Sequence, residues 1–353
     1  MAYKVIEREN YIVEFDSPEV YMDNQARKRS GHMTHAMVEY APNTILNFNA
    51  NCSAERAEGH SVYGWVEYRI SRDAGRTYEE LQTLPYSWEC FLNGTCTISV
   101  EKAVACNDGS IVAICLRNSN LSAVGCEPWY TPTWIRTADA GKTWSEPKEL
   151  SPYAGRPYDA VYQDGVIYVL HKCGEYFCKE NQEDVYRLYR STDNGESFEE
   201  VSAIPIDPSK RGYGALLFDE AGRLHAYAYN SGCETEMDHA VSEDNGKTWT
   251  LVKPCYLAKG IRNPQVALID GVYIVHGRSD DLKGFVFYTS EDGYDWDEGV
   301  YLNYWDHPIG QYYSNNINLR DEQGNFLLVQ YSESYDGSMR VNGMHVRLRI
   351  RRK

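Results

Sequence analysis

The chain has no Cys-x-x-Cys pair, no Lys/Arg-rich run before its last residues, and no apolar stretch approaching the length of a membrane span. Each absence removes a class of function. Ten cysteines are scattered through the sequence, with Cys173 and Cys178 the one pair close enough to suggest a bridge. Free thiols of a reducing compartment are therefore expected, not a disulfide scaffold. His32 and His35 lie three residues apart at a strand entry, where they face opposite sides. No shared metal follows from them, and neither metal nor cofactor is expected.

Basic residues are also scarce, 35 Lys and Arg against 51 Asp and Glu, for a formal net charge of −16. Such a surface repels phosphates, which excludes a nucleic-acid partner. The one basic segment, Arg347–Lys353, alternates Arg347, Arg349 and Arg351, and that period marks one face of a final strand. Residues Met1–Glu9 lack the apolar core of a signal peptide. The expectation is a cytoplasmic protein without a membrane partner, or a secreted one whose leader has been removed.

What is abundant is repetition. A polar-Asp-Gly-aromatic box recurs at Ser71–Tyr78, Thr137–Trp144, Ser191–Phe198, Ser242–Trp249 and, with Glu291 in the Asp place, Thr289–Trp296. A period of about fifty residues means blades or a solenoid. Each box reads as a hairpin turn in which Ser/Thr and Asp bond turn amides and Gly takes positive φ. The Asp residues then hold turns and catalyse nothing.

Between boxes, each period divides into four strands, as in Gln265–Ile269, Val272–His276, Phe285–Thr289 and the strand after the box. The last segment lacks a box, and Tyr3–Phe15 is a strand without a blade. One all-β domain over residues 1–353 follows: a six-bladed β-propeller of four-stranded antiparallel blades, its N-terminal strand closing the last blade. Long loops entering strand one and leaving strand two then converge on a central funnel, opposite the boxes.

Counting eight residues back from the Asp of each first turn gives Arg156, Arg211, Arg262 and Tyr313, and the same count from Asn43 gives His35, while blade two gives Val100. Equal offsets imply equal directions. Three arginines in one register predict a small cationic pocket, because guanidinium groups clamp carboxylate, phosphate or sulfate. The alternative is that they pair with acidic neighbours such as Asp159 or Asp207. A second ring, Lys172, Tyr229, Arg278 and Tyr331, lies seven residues after each turn Gly. Asp159, Glu175, Glu234, Glu236, Asp280, Asp281, Glu333 and Asp336 lie near both rings in sequence. The 29 tyrosines suit a surface that recognises sugars.

The boxes and the six-blade count resemble the sialidase (neuraminidase) superfamily, with Asp-box (BNR) repeats, over nearly the whole chain. That resemblance implies three arginines on a substrate carboxylate, a nucleophilic Tyr assisted by a Glu, and an Asp acid/base. Gln311–Ile317 followed by Leu327–Ser332 resembles the segment that carries the nucleophile, which makes Tyr313 the matching position. Asn263–Val266 through His276–Ser279 resembles the segment with the Glu and one Arg. Arg278 matches the Arg, but Asn263 stands at the Glu. Met33-Thr34-His35 replaces the family's Arg-Ile-Pro, and the loop Cys52–His60, with Glu55 and Glu58, takes the place of the Asp.

The expected function is an exo-acting glycoside hydrolase on a terminal, acidic sugar of a glycan. Tyr313, Glu175, Glu333 and Asp159 are its candidate catalytic residues, and Arg156, Arg211, Arg262, Arg278, His35, Tyr229 and Tyr331 its binding residues. The alternatives are a lyase on a uronate-containing polysaccharide, with Tyr313 or His35 as base, and a non-catalytic glycan-binding propeller.

Overall fold

A computed structural model describes residues 2–120, 129–174, 183–209, 212–308 and 311–353. Six four-stranded antiparallel blades form a ring. The innermost strands are Met37–Ala41, Thr97–Ala105, Gly155–Gln163, Gly214–Phe218, Arg262–Ile269 and Ser314–Asp321, for blades one to six in order. Their inward alternation buries apolar side chains between blades: Leu216 of blade four joins Leu170 and Leu188 of blade three in one cluster.

The N-terminus closes the ring as the strand count requires. Tyr11–Phe15 pairs antiparallel with Val341–Arg352 of blade six, and Lys4–Glu7 adds an outer strand. Val13 and Phe15 are buried, with the Phe15 ring edge-on to Phe287 of blade five at 5.1 Å. Gln330 of blade six then reaches blade one, donating from Nε2 to the Phe48 carbonyl at 2.9 Å.

The boxes do more than turn the chain. In the third, Asp193 accepts from the Ser197 amide at 3.0 Å and from the Ser191 and Ser197 hydroxyls at 2.7 and 2.6 Å. Gly195 follows at φ 80°, a conformation that favours glycine. The carbonyl of each box glycine also accepts a hydrogen bond from the preceding blade. The donors are Arg347 to Gly75, Tyr68 to Gly141, Trp134 to Gly195, Ser202 to Gly246 and Tyr227 to Gly293, at 2.5–3.1 Å. The turn is thus the stitch between neighbouring blades.

The fifth box departs from its expected alignment. Asp292, not Glu291, accepts from the Ser290 hydroxyl at 3.0 Å and from the Tyr294 amide at 2.8 Å. This turn is one residue shorter than the others, which the Trp-anchored alignment hid. One helix, Pro85–Leu92, is inserted between blades one and two, with a Pro in its first turn.

Cys173 is a free thiol, whereas Cys178 lies outside the described residues. No helix among the described residues is long and apolar enough to cross a membrane. Among the same residues, no group of three or more His, Cys, Asp or Glu could hold a metal ion.

Candidate functional site

The innermost strands enter the ring at the face opposite the boxes, and there they enclose an axial chamber. Each blade contributes: His35, Glu101, Tyr158, Tyr213, Asn263 and Tyr313 line it, in blade order, with Arg156 beside Tyr158. Three of these sit where strand pairing slips. Pairing passes from Val100 to Lys102, from Pro157 to Asp159 and from Arg262 to Gln265, so Glu101, Tyr158 and Asn263 fall in bulges. A bulge adds a residue to one strand and re-aims its side chain, here toward the axis. Asn263 is also left-handed at φ 54°, as are Thr34 and Tyr312 beside the chamber at 69° and 73°. Left-handed Thr and Tyr are strained, and such strain clusters at functional sites.

Tyr313 stands at the centre of the contacts. Its hydroxyl is 3.2 Å from that of Tyr213, its ring packs edge-on to His32 at 4.7 Å, and the Arg278 guanidinium lies 5.4 Å from the ring centre. Burial, and then Tyr213, raises the Tyr313 pKa, while Arg278 and Arg156 oppose the rise. The phenol is protonated at rest. Where the resemblance implies an assisting Glu, the geometry supplies the phenol of Tyr213.

Arg156 is 5% exposed and bonds Glu101 Oε2 through Nε at 3.0 Å and Nη2 at 2.8 Å. Its charge also lies 5.1 Å from the Tyr213 ring and 5.2 Å from that of Tyr158. Glu101 lines the chamber, and its Oε1 has no protein partner. Burial raises the Glu101 pKa against the pull of Arg156. Arg262 is paired likewise: Nε donates to Glu234 Oε2 at 2.8 Å, Nη2 bonds Oε1, and Tyr229 adds its hydroxyl to Oε1 at 2.8 Å. Pairing with acidic neighbours therefore holds for both arginines, but the partners are Glu101 and Glu234 in place of Asp159 and Asp207.

His35 lines the chamber from blade one. Its Nε2 contacts the His32 carbonyl at 3.1 Å, its Nδ1 is unpartnered, and burial lowers its pKa to about 4. His32 is 2% exposed, lacks partners at both ring nitrogens and is held neutral, first by burial and then by His60 and Arg278.

Other sequence candidates stand apart from this group. Asp159 is committed to scaffold contacts: Oδ2 accepts from the Leu216 amide at 2.8 Å, and Oδ1 from the Ala160 amide at 2.9 Å and Lys102 at 3.1 Å. Tyr331 and Glu333 alternate with Ser332, the cross-strand neighbour of Tyr313, and so face the other side of the sheet. There Glu333 accepts from Asn303 at 2.8 Å and Tyr331 at 3.3 Å, and burial raises its pKa to about 7. Lys172 bonds Asp184. Glu55 and Glu58 are exposed. Glu175 and Arg211 lie outside the described residues.

Glu101, Tyr158, Tyr213 and His32 were missed by the constant-offset reading. The bulges shift Glu101 and Tyr158 off that offset, and Tyr213 lies two residues beyond the position it selects in blade four. The one sequence signal was Glu101 adjoining Val100, the sole apolar member of the ring.

No family model matches the chain, and no curated protein matches it. Similar solved structures exist. A protein of unknown function from Dyadobacter fermentans superposes with a TM-score of 0.75 at 16% identity, over 96% of this chain and 99% of that one. The Hadza microbial sialidase Hz136 gives 0.68 at 12% identity, over 94% and 68%. Trypanosoma rangeli sialidase in complex with sialic acid gives 0.61 at 13% identity, over 94% and 58%. The chain has the six-bladed propeller fold found in sialidases.

Proposed function

We propose that the protein is an exo-acting glycoside hydrolase that cleaves a terminal sugar from a glycan at the mouth of the axial chamber. The observation that supports this most is Glu101, whose side chain is 8% exposed and offers an unpartnered oxygen in the same chamber as the Tyr313 and Tyr213 hydroxyls. Tyr313 supplies the oxygen that attacks the anomeric carbon as the bond to the leaving oxygen breaks. Tyr213 positions that oxygen and passes its proton on to the Glu101 carboxylate. Water then cleaves the Tyr313–sugar bond and returns the proton to Tyr313. Glu101 exchanges the proton with the glycosidic oxygen, because its raised pKa keeps the acid form accessible. Arg156 fixes the orientation of that carboxyl.

A second reading, glycan binding without turnover, is favoured by one fact: the Tyr313 hydroxyl meets a phenol instead of a carboxylate. The lyase reading fits less well, since the Arg156 and Arg262 charges that would bind a uronate are balanced by Glu101 and Glu234.

Release of chromophore from a panel of aryl glycosides tests the proposal. Turnover that disappears in Glu101→Gln and Tyr313→Phe supports hydrolysis in this chamber. Binding without turnover supports the second reading.

A further inference from the structure

Charge balance in the chamber bears on the substrate, given the reading of this chamber as a sugar site. Among the described residues, three cations of the predicted rings and one neighbour carry carboxylates: Arg156 with Glu101, Arg262 with Glu234, Lys172 with Asp184 and Lys102 with Asp159, while Arg278 packs over the Tyr313 ring. A carboxylate on the Nε–Nη2 edge cancels the guanidinium charge, so a second carboxylate approaching the Nη1 side meets the repulsion of the first. Recognition of an acidic sugar would have to overcome that repulsion or break the pair, at the desolvation cost of the carboxylate released.

The groups left with unmet hydrogen-bonding capacity are of another kind. Thr34 Oγ1, His35 Nδ1 and both amide atoms of Asn263 line the chamber, are 4–6% exposed and lack protein partners. Buried polar atoms are rarely left unsatisfied, so this set requires a ligand or ordered water. A hydroxyl, an imidazole and a primary amide offer neutral donors and acceptors together, which is the complement of sugar hydroxyls. The water-accessible volume is about 40 Å³. Hydroxyl or hydroxymethyl groups enter such a space, while the ring itself must lie above it toward the mouth.

We infer that the protein recognises an uncharged terminal sugar whose hydroxyls enter the axial chamber and bond Asn263, His35 and Thr34, and that it discriminates against sialic and uronic acids. Selectivity arises because Glu101 and Glu234 cancel the charges of Arg156 and Arg262 and repel the carboxylate of an acidic sugar. The inference concerns binding and is separable from hydrolysis.

Saturation-transfer NMR and calorimetry with methyl glycosides of neutral hexoses and pentoses, against a methyl sialoside and a methyl glucuronide, test it. Neutral glycosides are expected to bind at least about tenfold more tightly than acidic ones. Glu101→Gln keeps a hydrogen bond to Arg156 but removes its counter-charge, and is expected to raise affinity for the acidic glycosides about tenfold. Asn263→Asp preserves a residue type that tolerates the left-handed backbone and weakens neutral-sugar binding. A wild-type preference for acidic glycosides overturns the inference, as does binding of neither class or no gain in Glu101→Gln. Neutral glycosides bound but not cleaved would support this inference while contradicting the hydrolase reading.

Discussion

The Tyr313 hydroxyl lies 3.2 Å from the Tyr213 hydroxyl, so phenols from blades six and four share one hydrogen bond at the axis. Tyr213→Phe removes that bond and leaves the ring packing in place. If Tyr213 positions Tyr313, kcat falls about tenfold with KM little changed, the loss of one hydrogen bond of about 1.4 kcal/mol. Tyr313→Phe lowers kcat/KM by about a hundredfold or more. Steady-state kinetics on the best aryl glycoside separates the two, and full activity in both variants excludes the phenol pair from the reaction.

Glu101 and Arg156 form a buried pair, their side chains 8% and 6% exposed. Glu101→Leu leaves the guanidinium buried without its counter-charge and costs about 3–5 kcal/mol, whereas Glu101→Leu with Arg156→Leu recovers most of that loss. Urea denaturation of the four proteins in the cycle measures the coupling. Additive losses would mean that the pair contributes no mutual stabilisation.

Glu333 gives a pH dependence with a definite sign. Burial raises its pKa from an ordinary 4.5 to about 7, so the folded protein binds more protons than the unfolded chain between those values. The contribution is fully present below pH 4.5 and is lost as pH rises through 7, with an upper bound of roughly 3 kcal/mol. Glu333→Gln abolishes this slope. Denaturation midpoints at pH 5 and pH 8 for both proteins check it, and equal slopes would show that Glu333 titrates normally.

Gly195 is held at φ 80°, and an added Cβ would overlap Val112 of the preceding blade. Gly195→Ala therefore meets both strain and a clash, and is expected to cost about 1–3 kcal/mol. Thermal unfolding reads the loss. An unchanged Tm would contradict the role of the box as the joint between blades.

The ring was legible because its determinants are local. Five boxes, turn residues at a fixed distance and an orphan N-terminal strand specify six blades and their closure without any long-range information. The site was legible only in part. Equal offsets found Arg156, His35 and Tyr313, but the offset assumes uninterrupted pairing, and bulges at Glu101, Tyr158 and Asn263 break it. Those slips depend on how neighbouring strands pair, which no single strand encodes. Charge was legible only in part: three arginines in register read as a cationic pocket, yet Arg156 and Arg262 carry carboxylates, and Arg211 lies outside the described residues. The balancing residues Glu101 and Glu234 come from other blades, 55 and 28 residues away in sequence.

The most direct measurement is a crystal structure of Glu101→Gln soaked with a neutral aryl glycoside. The account predicts the sugar at the axis, its hydroxyls bonded to Asn263 and His35 and its anomeric carbon about 3–3.5 Å from the Tyr313 oxygen. A sugar bound elsewhere on the propeller, or a chamber holding solvent alone at saturating ligand, would contradict it.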